Sequence, residues 1–169
     1  MLKQERSGGG RQSTTPMTEF LFYQLHRQRT EDVLPSLLER SLDRGWRVVV
    51  QCASEERVDA LDAHLWTFRD DSFLPHGTFR DATAAEQPVL LTLDDRNPNG
   101  ATVRFLIDRA AVPEEITGYE RIVVLFDGED DEAVTEARQR AVDAKARGLA
   151  VTYWQADDAG RWRQRAENS

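Results

Sequence analysis

Two short apolar runs, Val48–Val50 and Ile122–Phe126, constrain what this chain can fold into more than any other feature. Each is continuous rather than alternating, the mark of a strand covered on both faces. Each also adjoins a segment with helical patterning. Ahead of the first, Thr30–Arg44 carries Val33, Leu34, Leu37, Leu38 and Leu42 at helical spacing, with Glu31 and Asp32 in its first turn and Gly45 as its stop. Pro35 leaves the start of that helix open. The first run widens to a strand over Arg47–Cys52, after which Ser54 caps a helix reaching Thr67, with Glu55 and Glu56 at its positive end. Following the second run, Asp130–Arg147 reads as a helix ended by Gly148, and Leu149–Trp154 as a strand. The aromatic stretch Phe20–Gln24 supplies a strand before the first helix. Strand–helix–strand units at both ends predict right-handed crossovers, so the chain reads as one α/β domain: a mainly parallel sheet flanked by helices.

The middle is less regular. Asp70–Gln87 is loop-rich, and Val89–Leu93 and Thr102–Ile107 are strand candidates separated by the turn signal Asn97-Pro98-Asn99-Gly100. Residues 1–16 are polar, contain Gly8-Gly9-Gly10 and lack apolar periodicity; they read as a flexible extension, with the folded domain spanning 17–169.

Several function classes drop out on simple counts. The formal net charge is −8, which opposes a surface that grips nucleic acid or anionic membrane as a whole. Lys3 and Lys145 are the only lysines, and neither follows a phosphate-binding glycine loop, so a P-loop nucleotidase is excluded and no cofactor is expected. A single cysteine, Cys52, permits no internal disulfide framework. His26, His64 and His76 are widely spaced and form no metal-ligand motif. No apolar run approaches the length of a membrane span and no charged-then-apolar leader opens the chain; a cytoplasmic protein is expected.

Three features remain as candidate sites. The acids Asp127, Glu129, Asp130, Asp131 and Glu132 follow the strand ending at Phe126, where α/β sheets place their chemistry, and with Asp94 and Asp95 they offer a Mg²⁺ site for a phosphoesterase. The competing reading is a helix's first turn complementing its dipole. Second, Val134, Arg138, Ala141, Val142 and Lys145 share one face of the Asp130–Arg147 helix, where small apolar groups beside two cations suit an apolar side chain and a carboxylate. The charge distribution agrees: Asp127–Glu136 holds six acids and no bases, whereas Arg138–Arg165 holds seven bases and three acids, a net +4. A helix carrying bases toward its negative end gives the same pattern. Third, Trp66 falls at the border of the stripe set by Val58, Leu61 and Leu65, with Phe73 in the loop beyond. Boundary aromatics of this kind mark interfaces or cover the edge of a core.

A set of motifs, taken in order, resembles a known family. They are Phe20-Leu21-Phe22-Tyr23; Leu65-Trp66 with Ser72-Phe73-Leu74-Pro75-His76-Gly77; Gln87-Pro88-Val89-Leu90-Leu91-Thr92 with Asn97-Pro98-Asn99-Gly100-Ala101; Val123-Val124-Leu125-Phe126-Asp127-Gly128; and Tyr153-Trp154-Gln155 with Gly160-Arg161-Trp162. Together they look like the chi subunit of bacterial DNA polymerase III in its alphaproteobacterial form, over Met17 to Arg165. The resemblance implies a Rossmann-like fold without the nucleotide loop, and a non-catalytic accessory of the replicative clamp loader. It further implies that this accessory holds the acidic C-terminal tail of single-stranded-DNA-binding protein, which ends in a Phe carboxylate. The tail-contacting arginine of the family aligns with Arg138. Val134 and Val142 stand where some members carry bases, leaving the cationic share to Arg138, Lys145 and Arg140. The family's second surface, for the psi subunit or a helicase, matches Trp66 and Phe73.

Overall fold

Residues 17–69 and 73–165 are described by a computed structural model; the extension expected at residues 1–16 lies outside that range. Eight strands form in chain order: β1 (Glu19–Leu25), β2 (Val48–Gln51), β3 (Gly77–Thr78), β4 (Val89–Thr92), β5 (Val103–Leu106), β6 (Arg121–Asp127), β7 (Ala150–Ala156) and β8 (Trp162–Arg165). They make one sheet in the order β3-β4-β2-β5-β6-β1-β7-β8, parallel throughout except for the antiparallel β7–β8 pair. Helices α1 (Thr30–Asp43), α2 (Glu55–Thr67) and α3 (Asp131–Ala146) flank it. This is the α/β arrangement that the alternating pattern predicts. The two-residue β3 and the terminal β8 are additions that the sequence pattern does not announce.

The layering follows from which residues are apolar. Val48, Val49 and Val50 have no exposed surface, because β2 is covered on one side by α1 and α2 and on the other by a loop. At about 1.5–3 kcal/mol per buried Val or Leu side chain, burial rather than strand propensity fixes these central strands. Leu34, Leu37, Leu38, Val58, Leu61 and Leu65 from α1 and α2 form the core on one face. On the opposite face α3 packs mainly on β6, β1 and β7. Ala110, Ile116 and Tyr119, from the segment joining β5 to β6, close over Val49, Leu90 and Leu106 in place of a second helix.

Helix termini agree with local chemistry. Ser54 Oγ accepts from Arg57 N at 3.2 Å, as an N-cap should. At the head of α1, Asp32 folds back to accept from Arg29 N at 2.9 Å, and Pro35 sits buried inside the helix. The crossover from β6 to β7 passes tightly over the end of β1. There Gly128 N donates to Leu25 O at 2.9 Å, and a Cβ on Gly128 would stand 2.6 Å from that carbonyl, so any larger residue would force the loop outward.

Candidate partner-binding site

α3 owes its position to alanine. Ala133, Ala137, Ala141 and Ala144 form a buried row, and their small side chains let the helix lie close on the sheet. Beside that row the helix presents Val134, Arg138, Val142 and Lys145. Val134 is half-buried, Arg138 and Lys145 are exposed, and Val142 is 58% exposed. Ala141 belongs to the buried row at 8% exposure, so it forms the inner margin of this flank rather than an outer wall. Arg140, expected to share the charge, lies on the opposite flank. It is mostly buried beside Phe20 and Pro113, 3.8 Å from Glu136, and burial is the main influence lowering its pKa.

Beyond the exposed flank the sheet continues as the β7–β8 ribbon. Tyr153 of β7 stacks on Phe22 at 5.8 Å and meets Phe126 edge-on at 5.9 Å, while its hydroxyl lies 3.4 Å from Gln24 Oε1. Its pairing register puts Arg165 directly opposite, with the guanidinium carbon 5.8 Å from the ring centre. Burial raises the phenol's pKa, and the charges of Arg138 and Arg165 both act against that rise. The charges of both guanidiniums thus act on one half-buried phenol, Arg165 from directly over its ring. Among the described residues, Arg138 has no hydrogen-bond or ion-pair partner, so its donors face outward. Arg161 and Arg163, by contrast, are drawn to Asp157 at 3.7 and 3.1 Å. The arrangement offers a carboxylate two cations and an adjoining apolar group two valines and a ring edge. Tyr153 and Arg165 escaped the reading of residue spacing on α3, since only strand pairing brings them to this flank.

A second exposed feature lies on α2. Trp66 is 52% exposed and Phe73 70%, with ring centres 5.8 Å apart. The fully buried His76 backs Trp66, and Phe73 meets only the Trp66 ring: the imidazole stands 4.6 Å from Trp66, with Nδ1 2.8 Å from Leu74 O and Nε2 2.9 Å from Asp62 Oδ1. A tryptophan backed this way loses little rotamer freedom when a partner covers it.

The acids after β6 are already engaged. Asp130 caps α3, accepting from Glu132 N at 3.0 Å and Ala133 N at 3.3 Å. Asp127 Oδ1 accepts from Glu129 N at 2.8 Å, and Glu132 and Glu136 flank Arg109 at 3.3 and 3.2 Å. Asp94, the proposed helper, pairs with Arg96 at 2.8 Å at the end of β4. With β2 and β5 between β4 and β6, the two strand ends are about 14 Å apart, too far for one ion. Among the described residues no three His, Cys, Asp or Glu side chains stand close enough to hold a metal. Replacing Asp130 with alanine should cost about 1 kcal/mol of stability as a lost N-cap, read as a lower urea midpoint. Cys52 is buried, chiefly through which its thiol is pushed up to about 12, an inert packing group. No helix among the described residues is long and apolar enough to cross a membrane.

Fold and site together define a class: a parallel α/β domain, Rossmann-like in its layering, whose first strand–helix junction lacks phosphate-binding glycines and whose distinctive surfaces suit contact with other molecules. Sequence comparison adds the family. The profile described as DNA polymerase III chi subunit, HolC, matches residues 17–152, and the chain belongs to that family. It is 26% identical over 117 residues to the Rickettsia prowazekii protein named "Probable DNA polymerase III subunit chi", a match covering 66% of this chain and 71% of that one. It is 37% identical over 59 residues to the Pseudomonas aeruginosa DNA polymerase III subunit chi, covering 35% and 40% respectively. Membership supports an accessory role in replicative DNA synthesis. The family match ends within β7, so β8 and Arg165 lie beyond it.

Proposed function

We propose that this chain is an adaptor of the replicative polymerase that holds the acidic C-terminal tail of single-stranded-DNA-binding protein against Arg138, linking that protein to the clamp loader. The folded unit is residues 17–169, it works in the cytoplasm, and it makes contacts rather than covalent bonds. The observation that carries the reading is Arg138 itself: exposed, without an ion-pair partner among the described residues, on the helix flank that carries Val134 and Val142, with its charge acting on Tyr153 as that of Arg165 does. A terminal carboxylate would take the guanidinium of Arg138, with Arg165 as a second cation across the Tyr153 ring. A terminal aromatic ring would lie along Val142 and Val134, whose exposed apolar surface gains from being covered. Lys145, one turn further on, adds long-range attraction for the acidic residues that precede the terminus. Trp66 and Phe73 would dock a second protein, a psi-like subunit or a helicase, through an aromatic anchor with a pinned geometry.

The test is a fluorescence-anisotropy titration with a short acidic peptide ending in Phe, run beside the same peptide amidated at its C-terminus. Amidation removes one charge and the bidentate acceptor, and it should weaken binding about tenfold or more. Rising salt should weaken the free-carboxylate peptide further, because an exposed ion contact is screened. Equal affinities for the two peptides would refute carboxylate recognition.

A further inference from the structure

The β7–β8 ribbon is uncovered on its other face as well, and there it builds a different kind of site. Between α1 and the ribbon lies an open cavity of ≈ 500 Å³ at the carboxyl end of β1 and β7. Its sheet-side wall is aromatic. Trp154 stacks on Tyr23 at 6.2 Å with the rings nearly parallel, and Trp162 meets the same Tyr23 edge-on at 4.9 Å. Arg40 stands on the α1 side, exposed and without an ion-pair partner among the described residues. Arg161 closes the rim, drawn partly toward Asp157 at 3.7 Å. The one acid on the lining, Asp32, is already engaged by Arg29 N at 2.9 Å.

Two of the lining residues carry buried polar atoms with no hydrogen-bond partner: the acceptor Gln28 Oε1 and the donor Trp154 Nε1. Such atoms are rare in folded proteins and ask for an explanation. Arg40 also borders a smaller cavity of ≈ 80 Å³ further along α1. That cavity contains Trp46, over whose ring the guanidiniums of Arg44 and Arg121 lie at 5.0 and 4.8 Å. Aromatic rings and arginines therefore alternate along one side of α1, on the face opposite Arg138.

The geometry points to a binding site for single-stranded DNA in this cavity. A nucleotide uses every part of it. The π-face of a base stacks on Trp162 or Trp154, as bases do on sheet-surface aromatics in other single-strand binders. The edge of a base offers both a donor and an acceptor, the two kinds of partner that Gln28 Oε1 and Trp154 Nε1 lack. A phosphate meets Arg40, and the next one along the strand meets Arg44. An acidic peptide without aromatic residues would use the arginines and leave the rings bare, an apolar peptide would do the reverse, and an acidic peptide ending in Phe, which could use both, is the competitor in the test. Because the molecule as a whole is acidic, attraction for DNA comes from a local basic strip such as this one, and the affinity falls with salt.

The full-length chain tests this in anisotropy titrations with a fluorescein-labelled oligothymidylate, together with quenching of tryptophan emission. Both Trp162→Ala and Arg40→Glu should weaken binding about tenfold or more. Arg40 is exposed on α1, so Arg40→Glu keeps the test valid if loss of Trp162 disturbs the ribbon. Unchanged affinity in Arg40→Glu would overturn the proposal. So would equal affinity for free thymidine monophosphate, which would make this a nucleotide pocket, and so would displacement of the oligonucleotide by the acidic Phe-ended peptide, which would place DNA on the Arg138 flank.

Discussion

Replacing Arg104 with alanine is expected to lower the stability of the folded chain by about 3–5 kcal/mol, the largest effect of any single substitution considered. Arg104 sits in the middle of β5 with no exposed surface. Its Nε donates to Tyr119 Oη at 2.9 Å, and one terminal nitrogen donates to Gln51 Oε1 at 2.7 Å and to Asp94 O at 3.2 Å. The other terminal nitrogen donates to Arg96 O. One guanidinium thus ties together the end of β2, the turn after β4 and the segment that covers the sheet in place of a helix. Alanine would leave a cavity and strand several acceptors away from water, each costing about 1–3 kcal/mol. Set against a typical stability of about 5–15 kcal/mol, such a loss brings the chain close to unfolding. Lysine should not rescue it, because one ammonium cannot reach acceptors spread around a whole guanidinium. Urea denaturation followed by tryptophan emission measures the change, and a loss under about 1 kcal/mol would show that water replaces these contacts cheaply.

Arg104 also marks where reading from sequence stops. The strand Val103–Leu106 was legible from its apolar neighbours, yet nothing local says that the arginine between Val103 and Phe105 points inward. Its partners come from positions 51, 94, 96 and 119, which only the folded sheet assembles. The helices were legible because periodicity and caps are local: Ser54, Asp130 and Gly148 mark ends that the structure keeps within a residue. β3 and β8 were not, because a two-residue strand carries no period, and Trp162–Arg165 has one apolar residue followed by three polar or charged ones on an edge where pairing supplies the order. The same division holds at the site. Val134, Arg138 and Val142 were visible as a helix flank, and the exposure of Trp66 followed from its angle to Val58, Leu61 and Leu65. Tyr153 and Arg165 depend on the register of β7 against β8, which no spacing along the chain encodes. Arg140 lies two residues beyond Arg138, about 200° further around the helix, and that arithmetic alone sets it apart from the flank.

The second large effect is expected in binding rather than folding. Arg138→Glu reverses the charge at the centre of the proposed tail contact, replacing attraction for a carboxylate with repulsion. Because Arg138 is exposed and makes no ion pair among the described residues, the fold has little reason to respond, and the unfolding free energy from urea titration should stay within about 0.5 kcal/mol of the parent. Affinity for the acidic Phe-ended peptide should fall by more than about 2 kcal/mol, or about 30-fold. Arg165→Glu, acting from across Tyr153, should produce a smaller loss in the same direction. An anisotropy titration of that peptide against the parent chain and Arg138→Glu is the most direct measurement of whether this flank of α3 is where the chain meets its partner. A loss of about 30-fold with stability unchanged is the result expected; equal affinities for the two proteins would contradict it.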